Sequence, residues 1–197
     1  KKPNRNRFIL SKGHAGAAVY SALSNLGFFS KKKLFTHCQN NSTLSGHISH
    51  IKNPGIEFST GSLGHGLSVA SGLAYAGLKR QDKSKVFVLL SDGECNEGST
   101  WEAAMFAGFH KLKNLTLIID YNKLQSLTST TKTLNLEPFK KKWQCFGWNT
   151  VEIDGNNLVE IEKSLSLSNS QKPKCIIANT IKGKGVSFME NKVLWHY

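Results

Sequence analysis

The stretch KVFVLLSDGECNEG, which runs from Lys85 to Gly98, decides the fold. Its apolar run is short and continuous, as in strands that are buried on both faces of a parallel sheet. The run leads directly into Ser-Asp-Gly, and further carboxylates and glycines follow within a few residues. A buried strand that ends in acids and glycines predicts a ligand site beyond its carboxyl end.

Outward from this stretch, strand and helix patterns alternate. The patterns predict strands at KVFVLL, NLTLIID, NTVEID and PKCIIANTI, and helices at STWEAAMFAGFHKL, EPFKKKWQCFGW and NNLVEIEKSLSLS. Ser99 and Glu102 fit a capping box at the start of the first of these helices. The first third of the chain is predicted to be helical, with GAAVYSALSNLGFF and GLSVASGLAYAGLKR as helices. This alternation predicts an α/β fold, a parallel sheet with helices on both faces.

The chain length indicates one domain over residues 1–197, because 197 residues suffice for a single sizeable core. The sequence contains no run of 18 apolar residues, so we expect no membrane span. It opens with KKPNRNRF and no apolar segment behind it, so we expect no signal peptide. The first apolar pattern begins at Phe8 with no helix start before it, and we expect the sequence to be a fragment truncated at both ends. The four cysteines form no C-x-x-C pair, which predicts neither a zinc site nor a disulfide framework and favours the reducing cytoplasm.

The formal net charge of +13 admits several interpretations. Its clusters at Lys31–Lys33 and Lys140–Lys142 are short and separate, which favours a solvated basic face. Attraction of sugar phosphates or of a diphosphate cofactor is a second possibility. Nucleic acid is not expected as a partner, because the basic residues are not interleaved with aromatic ones.

Polar side chains end the two strands at the centre of the pattern. Asp92 follows one strand, and Asn122 in IIDYNK follows the next one 30 residues later, a length that fits a βαβ crossover. Both side chains can therefore meet at one edge of the sheet. Carboxylate and amide oxygens suit Mg²⁺ or Ca²⁺, and Gly93 allows close approach of a phosphate. The pair predicts a metal-bound diphosphate, although either residue alone is more often part of a turn.

SDGECNEG followed by YNK resembles the thiamine diphosphate motif. RFILSKGHAGAAVY, PGIEFSTGSLGHGLSVASGLA, SDGECNEGSTWEAAMFAGFHKLKNL and KGKGVSFMENKVLWHY are similar to transketolase blocks and stand in the family's order. The resemblance covers nearly the whole chain and is closest to the amino-terminal half of transketolase, encoded as a separate subunit. It implies the thiamine diphosphate-binding fold, specifically the domain that binds the diphosphate.

The resemblance also implies a metal and diphosphate site. Asp92 and Asn122 match the side-chain ligands of Mg²⁺, for which Ca²⁺ or Mn²⁺ can substitute, and Leu124 matches the residue whose carbonyl is a further ligand. Gly93 matches the glycine whose N–H meets the diphosphate.

Further site residues follow from the same resemblance. Gly61 and Leu63 match the loop against the cofactor's rings. His14 matches a histidine near the diphosphate and the reacting centre, and His47 matches one that contacts the donor sugar near the cleaved bond. His196 matches a histidine that faces both cofactor and substrate. Histidine fits this chemistry, because protons move on and off sugar hydroxyls near neutral pH.

Two acids are implied to lie at a subunit interface. Glu97 matches a residue in a proton network with a glutamate of the partner, and Glu102 matches a second interface acid. Glu94, in contrast, is interpreted as a solvent-exposed loop acid. The implied partner is a carboxyl-terminal transketolase subunit in an α₂β₂ assembly, which would make this chain inactive on its own.

The implied reaction is transfer of a two-carbon ketol unit from a ketose, or its phosphate, to an aldose. One alternative is another thiamine diphosphate enzyme, either a 2-oxo acid dehydrogenase α subunit or a deoxyxylulose phosphate synthase. A non-catalytic binding subunit is a second alternative, although the intact Asp92 and Asn122 pair argues against it. The family's earlier glycine-histidine block is absent from the sequence, and the identity of the sugars stays open.

Overall fold

A computed structural model describes residues 5–166 and 170–196 of the chain. In these residues five parallel strands form one sheet with the order β1-β2-β3-β5-β4, so β3 lies at the centre. The predicted parallel sheet is thus confirmed. The strands are β1 (Arg7–Leu10), β2 (Val86–Ser91), β3 (Leu115–Tyr121), β4 (Asn149–Asp154) and β5 (Lys174–Asn179).

Helices lie on both faces of the sheet. The helices are α1 (Gly16–Asn25), α2 (Lys31–Leu34), α3 (Gly66–Lys79), α4 (Gly98–Phe109), α5 (Thr130–Thr133), α6 (Phe139–Cys145) and α7 (Leu158–Ser166). α3 packs against β1, β2 and β3, and α4 packs against α3. On the opposite face, Ile118 and Ile176 border a cavity together with Ile161 of α7. Within the part of the chain that the structure describes, no helix is both long and apolar enough to cross a membrane.

The prediction of a purely helical first third is wrong. β1 occupies Arg7–Leu10 and pairs with β2 at the edge of the sheet. Ile9 and Leu10 are buried, whereas Arg7 and Phe8 are not. A strand of four residues with one buried pair is too short to show an alternating pattern in the sequence. β1 nevertheless places the segment that follows it at the carboxyl edge of the sheet.

The predicted capping box of α4 is also wrong. The helix begins at Gly98 with Glu97 as its N-cap residue, and the Ser99 hydroxyl donates to the Gly64 carbonyl at 2.9 Å instead. The larger Met105 and Phe109 are 50% and 81% exposed, so the helix presents an apolar surface outward. Its core face consists of small residues, namely Thr100, Ala103, Ala104 and Ala107.

The small-residue helix predicted at GLSVASGLAYAGLKR is α3. Its Ala70 and Ala74 are fully buried in the same core as the strands, which allows the helix to lie close to the sheet. Gly72 and Leu73 face outward and are exposed. Close packing thus takes place within the chain, and only the outer side of α3 is available to a partner.

Candidate active site

One open cavity of about 330 Å³ lies beyond the carboxyl ends of the strands. Its walls come from the segments that follow β1, β2, β3 and β5 and from the loop before α3. Every one of the predicted site residues borders this cavity, although the sequence separates the first and the last of them by most of its length. These residues are His14, His47, Gly61, Leu63, Asp92, Gly93, Glu97, Asn122, Leu124 and His196.

Asp92 directly follows β2 and is only 1% exposed. Its Oδ1 accepts a hydrogen bond from the Gly93 N–H at 2.7 Å, and its Oδ2 accepts one from the Lys123 N–H, also at 2.7 Å. Burial raises the pKa of the Asp92 carboxyl to about 6, although both N–H groups act against this shift. A cation beside this carboxylate would therefore relieve the cost of its burial.

Asn122 and Leu124 follow β3 at the same edge. Ser91 pairs with Asp120 in the register of β2 and β3, so both strands end level with each other. The Asn122 Oδ1 accepts from the Leu124 N–H at 3.0 Å, which fixes the turn that carries both residues. The sequence forms this turn because an asparagine side chain can bond to the backbone two residues further on.

The donor set fits a hard cation that is also held by phosphate. The residues that the structure describes include no group of three or more His, Cys, Asp or Glu side chains that could hold a metal by themselves. Among the residues that border the cavity, Asp92, Asn122 and Leu124, the ligands that the resemblance implies, can supply a carboxylate, an amide oxygen and a backbone carbonyl. Mg²⁺ commonly binds one or two carboxylates and takes further oxygens from phosphate, so these residues fit a Mg²⁺–diphosphate.

The two predicted histidines at opposite ends of the chain meet in the cavity. The ring centroids of His14 and His196 lie 5.2 Å apart in a stacked arrangement. Burial, reinforced by the Lys12 ammonium, lowers the pKa of His14 to about 4. Burial and the Lys182 ammonium, 3.2 Å from the His196 Nδ1, also lower the pKa of His196. Both imidazoles are consequently neutral near pH 7 and able to accept protons.

His47 and the loop at Gly61 lie side by side in the lining of the cavity. A Cβ atom added to Gly61 would lie 3.3 Å from the His47 ring, so the loop passes directly beside the imidazole. His47 is exposed, and Leu63 is partly buried. An exposed histidine beside a cavity is accessible to a substrate.

Sequence reasoning missed an ion pair at this site, between a buried lysine and a partly buried aspartate. Lys12 is 8% exposed, and its Nζ lies 2.6 Å from the Asp120 Oδ2. Thr180 donates to the other oxygen of Asp120. Burial alone would raise the pKa of Asp120, but the Lys12 charge and these hydrogen bonds lower it overall. Asp120 lies near the end of β3 as Asp92 lies at the end of β2, and this shared position could have identified it.

Lys182 was also missed. It borders the cavity from the segment after β5, and burial together with the Lys12 charge lowers the pKa of its ammonium group. Lys12 is already paired with Asp120, so Lys182 is the lysine of this cavity that could face an anionic ligand.

The interpretation of Glu94 as a solvent-exposed acid is wrong. Its side chain is fully buried and accepts hydrogen bonds from the Gly64 N–H at 2.9 Å and from the Ser11 hydroxyl. Burial raises the pKa of its carboxyl. An acid in a glycine-rich turn gives no sequence signal of burial. The acids with implied interface roles, Glu97 and Glu102, are both exposed.

Comparisons with known proteins agree with this geometry. Residues 1–196 match the family model described as transketolase, thiamine diphosphate binding domain. An apulose-4-phosphate transketolase subunit of Actinobacillus succinogenes is 44% identical over 99% of this chain and 71% of its own length. The 6-deoxy-6-sulfo-D-fructose transketolase subunit SqwG of a Clostridium species is 42% identical over 98% of this chain and 71% of its own length.

A solved structure gives the same result. The transketolase of Campylobacter jejuni superposes with a TM-score of 0.92 at 35% identity, covering 97% of this chain and 31% of that one. The predicted thiamine diphosphate-binding fold is therefore confirmed, and transketolase is supported over the alternative enzymes and over a non-catalytic subunit. The chain belongs to the transketolase family, in which it corresponds to the thiamine diphosphate-binding domain.

Proposed function

We propose that residues 1–197 form a single domain that acts as the amino-terminal subunit of a transketolase. The enzyme would transfer a two-carbon ketol unit from a ketose to an aldose. The observation that carries this proposal is the meeting of all predicted site residues around one cavity at the strand ends. Thiamine diphosphate, when bound, supplies the nucleophilic carbon for such a transfer, and the protein binds and orients it.

In this proposal the diphosphate is held through Mg²⁺. Asp92 and Asn122 would be its side-chain ligands, Leu124 would contribute a carbonyl, and the Gly93 N–H would donate to a phosphate oxygen. Ca²⁺ or Mn²⁺ could replace Mg²⁺, because all of these metal ligands are oxygens. The buried Asp92 carboxylate, with its pKa raised to about 6, supports a role beside positive charge.

The remaining wall of the cavity would handle the cofactor rings and the sugar. Gly61 and Leu63 would lie against the rings, while His14, His47 and His196 would hold and move protons at the sugar hydroxyls. The neutral state of His14 and His196 supports such a role, because a base must be unprotonated to accept a proton. The relatives are named for apulose-4-phosphate and 6-deoxy-6-sulfo-D-fructose, which supports a sugar or sugar-phosphate substrate here.

A second subunit would complete the enzyme. The relatives are named as subunits, and in this chain α4 exposes both the apolar Phe109 and the acids Glu97 and Glu102 on its outer side or at its start. A carboxyl-terminal transketolase subunit would cover this side in an α₂β₂ assembly, and Glu97 would share its proton network.

We propose a cytoplasmic location, which the free thiols of Cys38 and Cys145 support. We propose no nucleic acid or membrane partner.

The test is an assay of the chain assembled with a carboxyl-terminal transketolase subunit, thiamine diphosphate and Mg²⁺. We expect transfer of two carbons from a ketose phosphate to an aldose phosphate and no turnover of pyruvate. Turnover of pyruvate alone would favour a 2-oxo acid dehydrogenase or a deoxyxylulose phosphate synthase. Absence of cofactor binding by the assembled protein would favour a non-catalytic subunit.

A further inference from the structure

The loop from Gly61 to Gly66, called the glycine loop below, is held at both of its ends. Just before it, the Thr60 hydroxyl donates to the Leu10 carbonyl at 2.6 Å. At its other end, the Gly66 N–H donates to the Ser11 hydroxyl at 3.1 Å. Both attachments lead to the end of β1, so the sheet determines where the loop begins and ends.

Glu94 supplies a third attachment, at the middle of the loop. Its Oε1 accepts from the Gly64 N–H at 2.9 Å and from the Ser11 hydroxyl. Its Oε2 is buried and has no hydrogen-bond partner among the residues that the structure describes. All the hydrogen bonding of this carboxylate is thus directed through one oxygen to the glycine loop and its anchor.

The backbone of Glu94 is itself fixed. Its N–H donates to the Ser91 hydroxyl at 3.3 Å, and its carbonyl accepts from the Thr100 hydroxyl at 3.0 Å. Glu94 directly follows Gly93 in the short turn after β2. The side chain therefore connects the turn that carries Asp92 with the loop that carries Gly61 and Leu63.

The loop passes Glu94 at a position that only glycine can occupy. Gly64 has a φ of +85°, and a Cβ atom there would lie 2.5 Å from the Ser99 Oγ and 2.8 Å from the Glu97 Cβ. Ser99 donates to the Gly64 carbonyl at 2.9 Å, whereas Glu94 accepts from the N–H of the same residue. The N–H and the carbonyl of one residue are thus both held by the segment that follows β2.

We propose that Glu94 is a positioning residue that fixes the glycine loop relative to the turn at Asp92 and Gly93. This inference rests on the proposed function, in which the turn meets the diphosphate and the loop meets the rings. Glu94 contacts neither the diphosphate nor the rings in this proposal. It holds the turn and the glycine loop at the separation that the bound cofactor requires, so that fewer protein groups lose conformational freedom when the cofactor binds. The carboxylate acts as a hydrogen-bond acceptor, and a neutral acceptor of the same shape can replace it.

The first test measures hydrogen exchange of the cofactor-free assembled protein. In Glu94→Ala we expect the amides of the glycine loop to exchange about tenfold faster or more, because the Gly64 N–H loses its hydrogen-bond acceptor. The amides of β2 and β3 should be unchanged. Glu94→Gln retains an oxygen acceptor and should protect the loop like the wild type. The matched control is Glu137→Ala, which removes a carboxylate that accepts from Tyr121 and Phe139, residues outside the loop.

The second test titrates the assembled protein with thiamine diphosphate and Mg²⁺ by calorimetry. We expect affinity to fall roughly 10- to 100-fold in Glu94→Ala and to be retained in Glu94→Gln. Unchanged affinity in Glu94→Ala would overturn the proposal. So would exchange that stays slow in the loop, or that rises equally in the loop and the strands.

If Glu94→Ala does not fold, Ser11→Ala decides the question. This variant removes the hydroxyl that donates to Glu94 and accepts from the Gly66 N–H, so the Gly66 amide is freed directly and the Gly64 amide, which donates to Glu94, is the readout. We expect the Gly64 amide to exchange faster, and no change at this amide would overturn the proposal. A wild-type protein that binds no cofactor would contradict the proposed function, while the exchange comparison would still decide whether Glu94 positions the loop.

Discussion

Charge compensation connects the individual side chains at the strand ends. Asp92 and Asp120 lie at the ends of neighbouring strands, and the buried Lys12 bonds to Asp120. The negative charges are close enough for Asp120 to raise the pKa of Asp92, while Lys12 lowers it. Removal of Lys12 would leave the buried Asp92 and the partly buried Asp120 without this compensating charge, so substitutions here have effects beyond the loss of a single contact.

Removal of the Asp92 carboxylate tests the metal site. In the assembled protein we expect Asp92→Ala to abolish Mg²⁺-dependent binding of thiamine diphosphate, because the diphosphate loses a ligand of its counter-ion. Calorimetry with and without Mg²⁺ measures this effect. Asp154→Ala is the control, since Asp154 also ends a strand but does not border the cavity. Unchanged affinity in Asp92→Ala would exclude Asp92 as a metal ligand.

Replacement of His47 tests whether a residue can contribute to the reaction without contributing to cofactor binding. We expect His47→Ala to bind the cofactor normally but to turn over a ketose donor about 10²- to 10⁴-fold more slowly, as for loss of a positioned proton-transfer group. His50→Ala is the control, because the His50 ring is also exposed but contacts Ser59. Steady-state kinetics with saturating cofactor gives the answer, and full activity in His47→Ala would show that this side chain has no part in the reaction.

The pKa of His14 predicts a pH dependence of stability. Its pKa falls from 6.5 to about 4 on folding, chiefly through burial and then through the charge of Lys12. Between these values the unfolded chain binds a proton that the folded chain does not, so the free energy of unfolding decreases as pH falls. We expect the stability advantage of the wild type over His14→Gln to shrink by about 1 kcal/mol from pH 7 to pH 4, allowing for solvent screening of a half-buried ring.

Denaturant unfolding of the cofactor-free protein at a series of pH values measures this difference. Asp92, whose pKa is raised to about 6, contributes in the opposite direction but is present in both proteins, so the comparison isolates His14. A difference that does not change with pH would contradict the lowered pKa.

The site could be predicted from the sequence where its residues follow a strand or lie in a glycine-rich block. Asp92 and Asn122 were found because each follows a strand, whereas His14, His47 and His196 were identified from the resemblance to transketolase blocks. Glu94 and Lys12 were not, because nothing local distinguishes a buried charge from an exposed one. Their burial depends on Gly64 and Asp120, which approach from distant parts of the chain.

At the scale of elements, α4 has two unlike faces. Its small residues pack inward, and Met105, Phe106 and Phe109 are 40% to 81% exposed. An apolar helix face next to the exposed Glu97 and Glu102 is suited to a protein partner.

Replacement of Phe109 tests this face. We expect Phe109→Asp to weaken assembly with the partner subunit by about 30-fold or more, as for a central interface aromatic, without lowering the melting temperature. Leu158→Asp on α7 is the control, because Leu158 is 80% exposed and Phe109 is 81% exposed. Sedimentation of the mixed subunits measures the assembly. Equal effects of the two substitutions would show that α4 is not the docking face.

The elements also show where pattern reasoning fails. Helical spacing correctly predicted α4, but it did not show which face of the helix packs against the core. The large residues recur with the same period as the small residues that face the core. β1 was missed because Arg7–Leu10 has only two buried residues, and its pairing with β2 brings together residues that are distant in the chain, such as Arg7 and Val86. Tertiary pairing of this kind decides strand formation in short segments.

At the scale of the whole molecule, the cavity is open, and His47 and Glu97 in its lining are both exposed. We expect the chain by itself to bind thiamine diphosphate weakly, to self-associate and to show no two-carbon transfer. Addition of the carboxyl-terminal subunit should restore tight binding, a defined assembly and activity together. A coupled assay and light scattering on the separate and mixed subunits measure these properties. Ketol transfer by the chain without any partner would refute the split-subunit assignment.

The short edge strand β1 links cofactor binding to the local stability of the amino-terminal segment. Among the residues that the structure describes, β1 pairs with β2 alone, and the segment after it carries Ser11, Lys12 and His14. Fraying of this four-residue edge strand would disrupt one wall of the cavity, and a ligand that binds only the intact wall opposes the fraying by mass action. The resistance of the amino-terminal segment to a protease should therefore increase with the fraction of protein that has cofactor bound, and this can be measured without an assay of the reaction.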